Sequence, residues 1–150
     1  MANTTVSLYS HVVFSTKDRM PVLSPEWRGR LWAYLGGIAR ENDMKALEIG
    51  GVADHVHLLI SMPAILATAK AVQLLKGNSS KWINETLNLP CRFQWQEGYG
   101  AFSVGVSQIT ATRNYIKNQN EHHRIKSFQE EYRAFLKKHG IECDERFLWK

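Results

Sequence analysis

Residues 6–15 read Val-Ser-Leu-Tyr-Ser-His-Val-Val-Phe-Ser, a β-branched and aromatic run that predicts a first strand. Ser24 then offers an N-cap, with Pro25 at the first helical position. Trp27, Leu31, Leu35 and Ile38 recur at helical spacing as far as about Glu41. That stripe is expected to cover a sheet. Residues 47–52 and 55–61 read as two further strands around a short turn at Ala53-Asp54, and the second alternates apolar and polar positions. From about 66 to 87, Val72, Leu75, Trp82 and Ile83 form the apolar side of a second helix, while Lys70, Gln73, Ser80, Lys81 and Asn84 gather on another side. Residues 93–95 and 101–106 flank a Gln-Glu-Gly-Tyr-Gly turn and supply the remaining strand material. Ser107 caps a polar helix reaching about His123. Ser127 and Glu130 then make a capping box for a last helix that Gly140 ends.

The order is βαββαβ followed by helices. It predicts an α+β fold, a ferredoxin-like sandwich in which an antiparallel sheet carries both crossover helices on one face and leaves the other free. No repeat or linker divides the 150 residues, so 1–150 is expected to form one domain. Hydrophobic residues at 44% and charged residues at 22% exclude a disordered chain or a disulfide scaffold. Nineteen Lys and Arg against fourteen Asp and Glu leave a net charge of +5, which favours a polyanionic partner. Cys91 and Cys143 lie far apart with no CxxC spacing, and no signal-like or membrane-spanning apolar run accompanies them. A reducing cytoplasm is the expected compartment.

His55 and His57, at i and i+2 on a strand, project from the same side of the sheet and could chelate a metal. A His-x-His on a strand is also commonly a pair of polar surface residues. Tyr115 and Gln119 lie four apart on the helix after Ser107 and share a face with Asn118 and His122. A polar helix face is often merely solvated. Within Glu121-His122-His123-Arg124, neighbours diverge by roughly 100° per residue, so only His122 is expected to point with Tyr115. With a pKa near neutral, His122 could exchange the phenol proton. Lys70, Lys76, Lys81, Arg113, Lys117, Arg124 and Lys126 could contact phosphates. Trp95 and Tyr99 could stack on unpaired bases or pack together in a hairpin. His11 reads as a core or sheet-face histidine, and Asp54 as a turn residue or an orienter of an imidazole.

Taken together, the strand-borne His-Val-His and the helix-borne Tyr-x-x-x-Gln resemble the single-tyrosine HUH transposases of small bacterial insertion sequences, to which the REP-associated tyrosine transposases are related. The segments Val12-Val13-Phe14-Ser15-Thr16-Lys17, Ala53-Asp54-His55-Val56-His57-Leu58-Leu59 and Trp95-Gln96-Glu97-Gly98-Tyr99-Gly100 carry the same likeness. The resemblance implies that His55, His57 and Gln119 bind Mg²⁺ or Mn²⁺ and that Tyr115 attacks single-stranded DNA, forming a 5′-phosphotyrosine link and freeing a 3′ hydroxyl. It also implies a homodimer acting at hairpin ends of a mobile element. A domesticated relative that nicks DNA without transposing would keep the same chemistry. A non-enzymatic module binding single-stranded nucleic acid through the free sheet face would leave His55 and His57 unexplained.

Overall fold

In the computed structural model, which describes residues 3–142 except the side chains of residues 124 and 125, the sheet is built from its middle outward. Strands β1 (Tyr9–Ser15) and β3 (His55–Ser61) pair antiparallel along their whole length, from Tyr9 opposite Ser61 to Ser15 opposite His55. β2 (Lys45–Val52) adds to β3 and β4 (Gly100–Val104) adds to β1, giving the order β2-β3-β1-β4. Helix α1 (Pro25–Glu41) connects β1 to β2, and α2 (Thr68–Thr86) connects β3 to β4, so each crossover skips one strand. This is the ferredoxin-like antiparallel arrangement that the element order predicts.

The pleat separates two chemistries. Val12, Phe14, Val56, Leu58 and Ile60 turn to one face, where Leu31, Leu35 and Ile38 of α1 and Val72, Leu75 and Ile83 of α2 bury them. Truncating a fully buried side chain such as Leu58 to Ala there costs about 2–5 kcal/mol. The Ser24 side chain accepts from Glu26 N at 3.2 Å, and the chain enters α1 through Pro25, as the cap residues lead one to expect.

The opposite face carries His11, Val13, His55, His57 and Phe102, and it is not free. Three helices cover it: α3 (Ile109–Lys117), α4 (Gln119–Ile125) and α5 (Phe128–Lys138). Val13, Phe102 and Phe128 form a second, smaller core with Tyr132, Phe135 and Leu136. Ser127 caps α5 by accepting from Glu130 N at 3.2 Å, and Gly140, at φ 66°, follows its end.

Five elements differ from the sequence expectation. β2 starts at Lys45 rather than residue 47. β1 starts at Tyr9 rather than residue 6, because its partner strand ends at Ser61 and leaves Val6 and Leu8 without a ladder, exposed. Residues 93–95 make only an isolated bridge, Thr16 to Trp95, since the Asn84 side chain brackets Phe93 by accepting from its N–H at 2.8 Å and donating to its C=O at 3.0 Å. β4 ends at Val104, two residues short of 106. The helix expected over 107–123 is broken. A 3-10 turn at Val106–Gln108 takes up Ser107, and Asn118, at φ −100° and ψ 27°, separates α3 from α4.

α3 rests directly on β2 because Gly50 has no side chain. A Cβ there would stand 2.7 Å from the carbonyl oxygen of Ile116 and 3.0 Å from Ile116 Cγ2, and a backbone atom does not yield cheaply. Gly50 also lies opposite His57. Gly50→Ala is therefore expected to destabilise the chain by about 1–3 kcal/mol by lifting α3 off the sheet. Urea denaturation measures this, and an unchanged midpoint would count against the contact.

Candidate active site

His55 and His57 are both fully buried, and a buried imidazole needs partners. Each has one on its outer nitrogen: His55 Nδ1 is 2.7 Å from Asp54 Oδ1, and His57 Nδ1 is 2.8 Å from His11 Nε2. Both Nε2 atoms consequently turn inward, under α4 and α5. His55 Nε2 lies 3.2 Å from Gln119 Oε1, and His57 Nε2 lies 2.9 Å from Glu131 Oε1. His123 Nε2 approaches the same Glu131 oxygen at 3.1 Å, and His55 Nε2 stands 3.5 Å from it. The other Glu131 oxygen accepts a hydrogen bond from the Tyr115 hydroxyl. Gln119 Nε2 donates to the Tyr115 carbonyl at 3.3 Å across the break at Asn118.

The ligand atoms of His55, His57, His123 and Glu131 lie within 4.8 Å of one another, so the cluster could hold a metal ion. The outer partners suit that use. A metal-bound imidazole ordinarily has its second nitrogen held by a carboxylate or similar group, as Asp54 holds His55 and His11 holds His57.

Charge is distributed unevenly across the pocket. Burial drives His57 down to about 4, with the Glu131 hydrogen bond opposing and His55 reinforcing the fall. Burial, reinforced by His57, takes His11 to about 3. Burial works against the proton on His55 too, but hydrogen bonds to Asp54 and Glu131 outweigh it and raise its pKa. The Glu131 carboxyl is likewise opposed by burial, yet hydrogen bonds from His123, His55 and His57 hold it well below the usual carboxylate range. Asp54 is lowered through its bond to His55, also against burial. Burial first, and then the hydrogen bond to Glu131 and its charge, push the Tyr115 phenol above its ordinary value, so at neutral pH it keeps its proton.

Tyr115, His55, His57 and Gln119, drawn from β3, α3 and α4, thus meet in one pocket. The His122 ring stacks on the Tyr115 ring with centroids 4.4 Å apart and planes 28° from parallel, so it meets the phenol face to face. His123 and Glu131 join the pocket without having been anticipated. His123 lies four residues after Gln119 and so takes the same face of α4, which the divergence of adjacent residues does not prevent. Glu131 had a legible signal, an acidic residue within the apolar stripe Phe128, Tyr132, Phe135 and Leu136 of α5.

The cationic residues divide. Lys70, Lys76 and Lys81 stand on α2, across the sheet from Tyr115. Lys76 is engaged internally, donating to the carbonyls of Gln96 and Gly98 and lying over the Phe14 ring. Arg113 and Lys117 are on the tyrosine helix, exposed, with Glu48 at 3.4 and 3.8 Å. The Arg124 side chain lies outside the described set, as does Cys143, and Lys126 is exposed just after α4. Trp95 is not available for base stacking: it is buried edge-on against Phe14 and Phe93 and donates to Ser79 Oγ at 2.9 Å. Tyr99 is exposed. Among the described residues, no helix is long and apolar enough to cross a membrane.

The pocket's electrostatics fix the sign of a pH effect on the metal-free chain. His57 and His11 stay neutral in the folded state but protonate near 6.5 when unfolded, so stability present above that value is lost as pH falls toward 4. For His57 alone the full loss is about 3 kcal/mol. His55, whose pKa is raised, acts the other way, but its gain saturates below pH 6.5. With a chelator present, the urea midpoint is expected to fall between pH 7 and pH 5. A flat or rising midpoint would show that the two imidazoles are not held neutral.

Known proteins are similar to this chain in sequence and fold. The profile of the family described as "Transposase IS200 like" matches residues 4–119. The transposase for insertion sequence element IS200 of Salmonella typhimurium is 27% identical over 130 residues, covering 83% of this chain and 85% of that protein. The ISDra2 transposase TnpA of Deinococcus radiodurans is 28% identical over 121 residues, 74% of this chain and 83% of its own. A crystal structure from Deinococcus radiodurans R1, assigned as a transposase, superposes with a TM-score of 0.65 at 25% identity, covering 79% of this chain and 95% of the other. A REP-associated tyrosine transposase bound to a REP hairpin gives a TM-score of 0.57 at 12% identity over 82% and 74%, a likeness of fold. With the matched profile spanning all four strands and reaching Gln119, the chain belongs to the IS200-like transposase family.

Proposed function

We propose that this IS200-type transposase cleaves and rejoins single-stranded DNA through a covalent bond to Tyr115, with Mg²⁺ or Mn²⁺ held by His55, His57 and Gln119. The observation that carries the reading is the convergence of two buried Nε2 atoms, each oriented by a partner on its other nitrogen, beside the hydroxyl of Tyr115. The phenol reaches that pocket from a separate helix, α3. Two imidazoles and an amide oxygen suit Mn²⁺ readily and Mg²⁺ through the oxygen donor and waters. When bound, such an ion supplies charge to a scissile phosphate and fixes its orientation.

The chain's own residues account for the rest of the step. Tyr115 Oη bonds to phosphorus while the bond from phosphorus to the 3′ oxygen breaks. The phenol proton leaves, the 3′ oxygen ends as a hydroxyl, and one phosphodiester replaces another, so the reverse attack rejoins DNA without ATP. Because the pocket raises the Tyr115 pKa, a proton acceptor has to act during attack. His122 stacks on the ring face, while the hydroxyl itself donates to Glu131 Oε2, so His122 would have to turn edge-on to the hydroxyl to accept and return that proton. Arg113 and Lys117, on the exposed side of the same helix, are placed to meet the DNA backbone, and their contribution should weaken with salt. Lys70 and Lys81 would reach only DNA that wraps to the far side of the sheet. The hairpin ligand of the REP-associated neighbour supports DNA as the partner class. Two copies acting together belong to the same proposal, although Tyr115 and Gln119 reach His55 and His57 within one chain.

Incubating the protein with a labelled single-stranded hairpin and Mn²⁺ is expected to yield a protein–DNA adduct that survives denaturation. Tyr115→Phe removes only the attacking oxygen, so adduct formation should fall below detection while hairpin binding stays within about threefold of the parent. An adduct that persists in the Phe variant would remove Tyr115 as nucleophile. Cleavage of the same strand within a duplex at an equal rate would remove the single-strand preference.

A further inference from the structure

Glu131 is 2% exposed on a helix that otherwise buries aromatic side chains, and every polar contact it makes is with the candidate site. Three imidazole nitrogens, His57 Nε2 at 2.9 Å, His123 Nε2 at 3.1 Å and His55 Nε2 at 3.5 Å, converge on its Oε1. With the outer nitrogens of His55 and His57 engaged by Asp54 and His11, donating protons outward would leave inward lone pairs facing a carboxylate oxygen. Lone pairs in that arrangement repel unless positive charge sits among them. Protons can supply it, and so can one cation. The spacings accommodate either: 2.9 and 3.1 Å are hydrogen-bond lengths, and donors bound to a first-row divalent ion at about 2.1 Å stand about 3.0 Å apart at right angles and about 3.4 Å apart in a tetrahedron. The four ligand atoms of His55, His57, His123 and Glu131 gather within 4.8 Å of one another, and it is this convergence of three imidazoles on one carboxylate oxygen that points to a cation. Meanwhile Glu131 Oε2 holds the Tyr115 hydroxyl.

We propose that Glu131 bridges the ion and the nucleophile, with Oε1 a ligand beside His55, His57 and His123 and Oε2 positioning Tyr115, so that loading the site locks α5 onto the sheet. This rests on the metal-dependent reading above and enlarges its donor set. Gln119 Oε1 remains 3.2 Å from His55 Nε2, so it stays within the same shell of donors. The consequences are specific to this chain. Three imidazoles with a carboxylate suit Mn²⁺ or Zn²⁺ better than Mg²⁺, which prefers oxygen and water. Docking of α5, which also packs through Phe128, Tyr132, Phe135 and Leu136 on Val13 and Phe102, becomes coupled to metal occupancy.

Calorimetric titration of the full chain with MnCl₂, paired with hydrogen exchange of the α5 amides with Mn²⁺ or with chelator, tests this without recourse to activity. The parent is expected to bind one Mn²⁺ and to slow α5 exchange at least tenfold on binding. Glu131→Gln keeps volume and a hydrogen-bond acceptor for Tyr115 but loses the anionic ligand, and should bind Mn²⁺ at least tenfold more weakly. His123→Ala should weaken binding in the same direction. Unchanged affinity in Glu131→Gln would overturn the proposal, and so would tighter binding, which would mean the carboxylate competes with the ion. Should the Gln variant fail to fold, the parent alone still decides: α5 exchange indifferent to bound Mn²⁺ overturns the coupling. A parent that binds no Mn²⁺ overturns the metal-dependent reading itself, and this proposal with it.

Discussion

The pleat of β3 sends His55 and His57 into the interior, and a buried imidazole that finds no partner costs more than the fold can spare. The second layer of this molecule meets that requirement. Asp54 and His11 take the outer nitrogens, while α4 and α5 bring Gln119, His123 and Glu131 to the inner ones. On the other face of the same strand, Val56, Leu58 and Ile60 need only apolar cover, which α1 and α2 provide. One strand therefore anchors both an ordinary hydrophobic core and a polar pocket. The break at Asn118 belongs to the polar side of this arrangement, since it lets α3 present Tyr115 while α4 turns Gln119 and His123 toward His55 and Glu131.

Coupling of this kind also explains the electrostatics. His57 and His11 are neutral because they are dry, whereas hydrogen bonds to two carboxylates outweigh burial at His55 and raise its pKa. Without a cation, the pocket satisfies its carboxylate by keeping protons on imidazoles and on Tyr115. A divalent ion would replace several of those protons at once and invert the preference. Site chemistry and the stability of the helices above it are thus two readings of the same set of contacts.

The apolar periodicities made the order of elements and both crossover helices legible, because strand and helix periods are local properties of the chain. The strand-borne pair His55 and His57 was legible for the same reason, as was the pairing of Tyr115 with Gln119. Glu131 was not found, although its place in the apolar stripe of α5 marks it. Its partners are 74 and 16 residues away, at His57 and Tyr115, and no local pattern encodes such a distance. His123 escapes a reading centred on Tyr115, yet its four-residue spacing from Gln119 puts it on the face of α4 that meets His55. Lys76 and Trp95, plausible as nucleic-acid contacts by type, are consumed by the packing of α2 against the segment before β4. Residue type alone does not distinguish a group that waits for a ligand from one already satisfied.

Membership of the IS200-like transposase family makes DNA processing the setting for this pocket, and the central claim is that the pocket exists to hold an ion beside Tyr115. Crystals grown with Mn²⁺ and measured for anomalous scattering address that claim most directly. One strong peak is expected among His55, His57, Gln119 and Glu131, at about 2.0–2.3 Å from the two inward Nε2 atoms. An empty pocket at saturating Mn²⁺, with the inward Nε2 atoms still bonded only to Glu131 and Gln119, would contradict it.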